Sequence, residues 1–116
     1  MAETLTSARS VPLTDLSEDE RMFRDQVRHF AEAEVRPLVA KMDKEGQIPR
    51  ELIDKCFDLG IMGIEIPEST GGAGATFFMS VLAVEELARV DASLAVLVDV
   101  QNTLVNNALL RWGTDE

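Results

Sequence analysis

Disulfides, histidine chemistry and positive charge are all scarce in this chain: it has one cysteine, one histidine and 11 Lys or Arg against 21 Asp or Glu. With Cys56 alone, no internal disulfide can form. Cys56 sits beside Phe57 in a helical pattern and reads as a small buried residue rather than a reactive thiol. The formal charge of −10 argues against a nucleic-acid surface, because phosphate binding needs positive patches. It argues equally against docking on anionic membranes. No apolar run approaches the ~20 residues of a membrane span; Leu94 to Val98 ends at Asp99. Met1 to Ser10 has no apolar signal core and carries Glu3, which fits neither a secretory signal nor a transit peptide. A soluble protein in a reducing compartment is expected.

What is present is helical patterning over a length of 116 residues, enough for one domain. Residues 1–13 are small and polar with Pro12 and read as a flexible arm. Ser17 with Glu20 three residues on is a capping box. Phe23, Val27, Phe30, Leu38 and Met42, with Val35 on the flank, then follow at helical spacing. Pro37 falls inside this pattern, so a kink or break is expected near Glu34, and Gly46 ends the segment. A second helix is expected from Pro49, with Leu52, Cys56 and Leu59 as its apolar side and Gly60 as its stop. Ile61 to Pro67 alternates but has no partner strand, and is read as an extended connector. After the glycine-rich stretch from Glu68 to Ala75, a third helix carries Phe77, Val81, Val84 and Ala88 on one face and a Glu85–Arg89 pair on another. Asp91 or Ser93 caps a last helix from about Leu94 to Trp112, stopped by Gly113. The fold class expected is all-α, a bundle of four to five helices.

The last helix is apolar nearly all round: Leu94, Ala95, Val96, Leu97, Val98 and Val100. Such a helix needs protein on every side, and three other helices cover only part of it. An exposed apolar surface is therefore expected. Thr114-Asp115-Glu116 reads as the cap and first turn of another helix, and a truncated chain is the expectation.

Candidate site residues are few. Gly71-Gly72-Ala73-Gly74 lacks the Lys-Ser or Lys-Thr of a phosphate loop and the lead-in strand of a dinucleotide site, so turn chemistry explains it better. His29, between Arg28 and Phe30, has no carboxylate or thiol at a useful spacing and reads as a surface residue. The acidic residues show no metal-ligand spacing. Asp99 stands in the most apolar stretch and is expected to take a hydrogen bond within the protein, with a substrate role as the lesser reading. Gln101, Asn102, Asn106 and Asn107 form a polar stripe expected to face another element.

Two blocks carry a resemblance. Gly60-Ile61-Met62-Gly63-Ile64-Glu65-Ile66-Pro67-Glu68-Ser69-Thr70-Gly71-Gly72-Ala73-Gly74 resembles a stretch of the acyl-CoA dehydrogenases. Glu85 to Ser93, with Gln101-Asn102-Thr103-Leu104 and Gly113 to Glu116, resembles the family's next block. Phe30-Ala31 and Val35-Arg36-Pro37 are similar to its first helix. The resemblance runs from about Leu16 to the end and is most like the short/branched-chain type, with isovaleryl-, butyryl- and glutaryl-CoA dehydrogenases close by. Ser69-Thr70 departs from the family pattern, which often has an aromatic before the two glycines.

The resemblance implies that residues 14–116 are the N-terminal helical domain, followed in the family by a β-domain and a second helical domain. It implies FAD, held largely by those later parts, and a glutamate there that removes the α-proton of an acyl-CoA while a β-hydride passes to the flavin. No catalytic, cofactor-binding or metal residue is assigned to this chain, and the fragment alone is expected to be inactive. The one contribution implied is a wall of the acyl pocket from Val96, Leu97, Val100 and Leu104. The other reading of those four is packing of the bundle. The resemblance further implies an electron-transfer flavoprotein as partner, a homotetramer, and location in the cytoplasm of a bacterium or the mitochondrial matrix of a eukaryote. A competing reading is a free-standing helical module for protein interaction or self-association.

Overall fold

A computed structural model describes residues 11–116; of the arm expected at 1–13, residues 1–10 lie outside the described residues. Every regular element among the described residues is helical. They form four rods.

The first rod begins with α1, Glu18–Phe30. Its start is the expected capping box: the Ser17 N–H donates to Glu20 Oε2 at 3.0 Å and the Glu20 N–H to Ser17 Oγ at 3.2 Å. Three acidic residues in the first turn suit the helix dipole. The expected break at Pro37 is real and takes a particular form. Ala31–Val35 widens into a π turn, in which the Arg36 N–H donates to the Ala31 carbonyl. Arg36–Leu38 then tightens into a 3₁₀ turn, and α2, Val39–Glu45, completes the rod. Proline brings no N–H and its ring crowds the preceding turn, so the α ladder cannot pass through position 37 unchanged.

The second rod is α3, Arg50–Asp58, one residue later than the sequence suggested; Pro49 is its N-cap. It ends at Gly60 in a left-handed conformation, φ 84°. There the Gly60 N–H donates to the Phe57 carbonyl and the Ile61 N–H to the Cys56 carbonyl, the paired bonds of a Schellman stop. The third rod is α4, Phe77–Ala88, capped by Thr76. The fourth holds α5, Ala92–Val100, a π segment, Gln101–Asn106, and α6, Asn107–Trp112. Of the two residues proposed as its cap, Asp91 is the one used, accepting from the Leu94 N–H at 2.8 Å.

α4 packs against both α1 and α5. The core between the rods is built from Val27, Val35, Leu52, Cys56, Ile61, Ile64, Leu87, Leu94 and Val98, all fully buried. The connector 61–67 forms no strand, yet it is not a free extended segment. It folds back on the glycine stretch, with Ala73 N–H to Gly63 O at 2.9 Å, Gly74 N–H to Ile66 O at 2.9 Å and Ala75 N–H to Ile64 O at 2.8 Å.

Three side-chain expectations are corrected. α4 buries Ser80, Leu82, Ala83, Glu86 and Leu87, not the face of Phe77, Val81, Val84 and Ala88; Phe77 and Val81 are exposed. Arg89 pairs with Glu86 rather than Glu85, because Glu86 also receives a two-pronged hydrogen bond from Arg28 on α1, both contacts 2.8 Å. Asp99 is half-buried and makes no side-chain hydrogen bond among the described residues, so enough solvent reaches the carboxylate to stand in for the internal partner it was expected to have.

Candidate functional site

The fourth rod presents two chemically different sides, and each follows from its sequence. On one side stand Val96, 59 % exposed, Val100, 37 %, and Leu104, 63 %. Their spacing of four places them along one flank of the rod. Leu97, the fourth candidate, turns inward and packs partly buried against the core. Next to this flank, Asp99 and Thr103 of the same rod meet Phe77, Ser80, Val81 and Val84 of α4 around a shallow cleft of about 140 Å³. The exposed apolar surface expected from the sequence is therefore present and spans two rods. Toward the far end, Leu109, Leu110 and Trp112 are also exposed.

Of the amide stripe on the other side of the rod, Asn102 and Asn106 face the connector, while Gln101 bonds Asn106 and Asn107 bonds back to its own rod. Asn102 is 3 % exposed. Its Nδ2 donates to the carbonyls of Ile61 and Val98, each at 2.8 Å, and its Oδ1 accepts from the Ile64 N–H at 2.9 Å. Asn106 donates to the Met62 carbonyl at 2.9 Å and accepts from Gln101 Nε2 at 2.8 Å. In and just after the π segment the side chains of Asn102, Thr103 and Asn107 each donate to the carbonyl four residues back. A π turn shifts the main-chain donor one residue further on; the Val98 carbonyl takes the Gln101 N–H as well as the Asn102 amide. Thr103 was not singled out from the sequence; a Thr among four amides on a helix was the available signal.

The glycine-rich stretch is a closed turn. Gly71 and Gly74 are left-handed, and a Cβ on Gly72 would lie 2.0 Å from the Ile66 carbonyl oxygen. The N–H groups of Gly71, Gly72, Ala73, Gly74 and Ala75 all donate to backbone carbonyls of the segment 63–68. A pyrophosphate requires free N–H groups converging on it, so this loop does not fit a dinucleotide. It instead forms one side of a groove of about 450 Å³ whose other side includes Gln101 and Asn106.

Titratable chemistry is modest. His29 is exposed, as expected. Cys56 is fully buried, and burial pushes its thiol up to about 11. The hydrogen bonds and charge of Arg28, opposed by burial and aided by Arg89, hold the Glu86 carboxyl below its usual range. Among the described residues no group of three or more His, Cys, Asp or Glu could hold a metal ion. None of their helices is long and apolar enough to cross a membrane.

The family model of the acyl-CoA dehydrogenase N-terminal domain matches residues 17–116. The chain belongs to that family. This acyl-CoA dehydrogenase N-terminal domain is 48% identical over 103 residues to a protein of Dictyostelium discoideum named as a probable short/branched chain specific acyl-CoA dehydrogenase, covering 89% of this chain and 25% of that one. Among solved structures it resembles butyryl-CoA dehydrogenase from Megasphaera elsdenii, at 33% identity and a TM-score of 0.80, over 87% of this chain and 27% of that one. It resembles equally a chain from the structure of the electron transferring flavoprotein of Acidaminococcus fermentans, at 36% identity and a TM-score of 0.82, with the same coverage. The domain spans about a quarter of the length of the relatives it matches.

Proposed function

We propose that this domain supplies one wall of the acyl pocket in an enzyme that dehydrogenates a short- or branched-chain acyl-CoA thioester between its α and β carbons. The observation that carries the reading is the exposed flank of Val96, Val100 and Leu104, with Leu97 beside it as the backing layer. Apolar side chains held at solvent on a rigid helix offer a surface that an acyl chain can bury against. Branched and medium-sized side chains there shorten the space available and favour short acyl groups. FAD is the cofactor proposed, and it would supply the electron sink for the β-hydride. The glycine turn does not fit it, so no part of its chemistry is assigned to these residues. The domain alone is then a scaffold without catalysis. By family resemblance the electron acceptor is an electron-transfer flavoprotein and the assembly a tetramer, in bacterial cytoplasm or the mitochondrial matrix.

The test is Val100→Phe in the complete enzyme. The kcat/KM ratio of a short to a longer acyl-CoA should rise by roughly tenfold, the lower end of what one methylene discriminates. An unchanged ratio in a folded, flavin-loaded variant would remove Val100 from the pocket.

A further inference from the structure

We propose that Asn102 is a positioning residue for acyl-chain selection, acting from behind the wall without touching the substrate. The proposal rests on the reading of Val96, Val100 and Leu104 as that wall. Asn102 lies two residues from Val100 and two from Leu104, so it points to the opposite side of the rod from both. There it is buried, and both of its Nδ2 protons and its Oδ1 are engaged. Those bonds reach two different elements. Val98 belongs to α5, whereas Ile61 and Ile64 belong to the connector.

One planar amide thus fixes both the distance between the rod and the connector and the rotation of the rod about its axis. No other side chain of this size offers two donors and an acceptor in that arrangement. Aspartate would set a carboxylate against two carbonyls, and leucine would take away the side-chain partner of the Ile61 carbonyl and the Ile64 N–H, leaving the Val98 carbonyl with the Gln101 N–H alone. Asn106 repeats the tie with a single bond to Met62, so the rod is fastened at two points along its π segment, Gln101–Asn106.

The π segment begins immediately after Val100 and contains Leu104. Its wide turn is what sets the direction of Leu104 relative to Val96 and Val100. Without the amide, the connector loses the two bonds Asn102 makes to it while the Val98 carbonyl keeps the Gln101 N–H, so the rod is no longer held in its rotation at the π segment and Leu104 is re-aimed. The far end of the wall moves while the near end stays. Selection among long and short acyl chains should therefore respond to Asn102, although the short-chain reaction barely does.

The experiment uses the complete flavin-loaded enzyme carrying Asn102→Ala, Asn106→Ala or, as a control for lost stability, Leu52→Ala in the core of α3. Steady-state constants are measured with a short and a longer straight-chain acyl-CoA, beside the Val100→Phe variant. Asn102→Ala is expected to change the short-to-long kcat/KM ratio by about fivefold, through KM for the longer substrate, with kcat for the short one nearly unchanged. Asn106→Ala should shift it in the same direction and less. Leu52→Ala should lower the melting temperature and leave the ratio alone. A ratio unmoved by both asparagine variants, while Val100→Phe moves it, overturns the positioning role and leaves the wall standing. A ratio unmoved by all three overturns the wall, and the positioning role with it. A ratio moved as much by Leu52→Ala also overturns the proposal, since general loosening would then suffice. If Asn102→Ala does not fold, Asn106→Ala decides: a shift supports the tie, no shift refutes it.

Discussion

Replacing Gly72 by alanine puts the central turn of the domain under a defined load. The added Cβ would meet the Ile66 carbonyl oxygen at 2.0 Å, its Cβ at 2.3 Å and its carbonyl carbon at 2.4 Å. Two of those three atoms are backbone, so no side-chain rotation relieves the overlap. The strand-like pairing of 63–66 with 73–75 has to open by more than an ångström, and three hydrogen bonds, from Ala73, Gly74 and Ala75, run across that gap. At about 1 kcal/mol for each such bond, the loss comes to about 3 kcal/mol. With a typical urea dependence that moves the unfolding midpoint down by roughly 1.5 M. Gly71→Ala is the comparison. Gly71 has φ 91° but nothing within 4 Å of an added Cβ, so only backbone strain of about 1 kcal/mol applies. Urea unfolding followed by circular dichroism measures both variants. Equal midpoints for the two would refute the argument that close backbone approach, rather than left-handed geometry, is what demands glycine at position 72.

Glu86→Gln should cost about 2 kcal/mol near neutrality, as a charge-assisted hydrogen bond to a buried group is lost. Because the folded carboxyl is held low, its stabilisation is full above the ordinary carboxylate pKa and disappears as pH falls through the folded value. The gap in urea midpoint between wild type and Glu86→Gln should therefore close on acidification, and a gap constant with pH would exclude the Arg28 pairing as its source. Cys56, with its thiol raised to about 11 and fully buried, should react with a disulfide reagent at least a hundredfold more slowly in the native chain than in denaturant. Comparable rates would mean that α3 opens freely.

Much of this architecture can be read from local signals. Ser17 and Glu20, Pro37, Gly60 and Asp91 each act within a few residues of themselves, and each does in the structure what its chemistry implies. Half of the amide stripe was legible as well: Asn102 and Asn106 find their partners on another element, whereas Gln101 and Asn107 find theirs within the rod. What failed depended on distant contacts. α4 carries Phe77, Phe78, Met79, Val81, Leu82, Val84 and Leu87 around most of its circumference, so periodicity cannot choose a face. The choice is made by α1 and α5 on either side. Glu85 and Glu86 are both within helical reach of Arg89, and Arg28 decides between them from 58 residues away. Asp99 was judged by its neighbours in sequence, all apolar, whereas its exposure is set by the shallow cleft beside α4. Of the proposed wall, three members lie on the exposed flank and Leu97 lies behind them, an arrangement that spacing suggested without showing which flank would be left open.

The wide turn at Gln101–Asn106 also bears on how such a helix tolerates change. A π turn accommodates one residue more than an α turn over the same stretch. Loss of a single residue there can be absorbed by return to ordinary α geometry, with both halves of the rod still facing as they did. The same deletion in α5 would swing every later side chain by about 100°, taking Asn102 off the connector and turning Leu104 into the place of Thr103 beside α4. The fourth rod thus contains one short stretch where its length is adjustable, flanked by stretches where it is not.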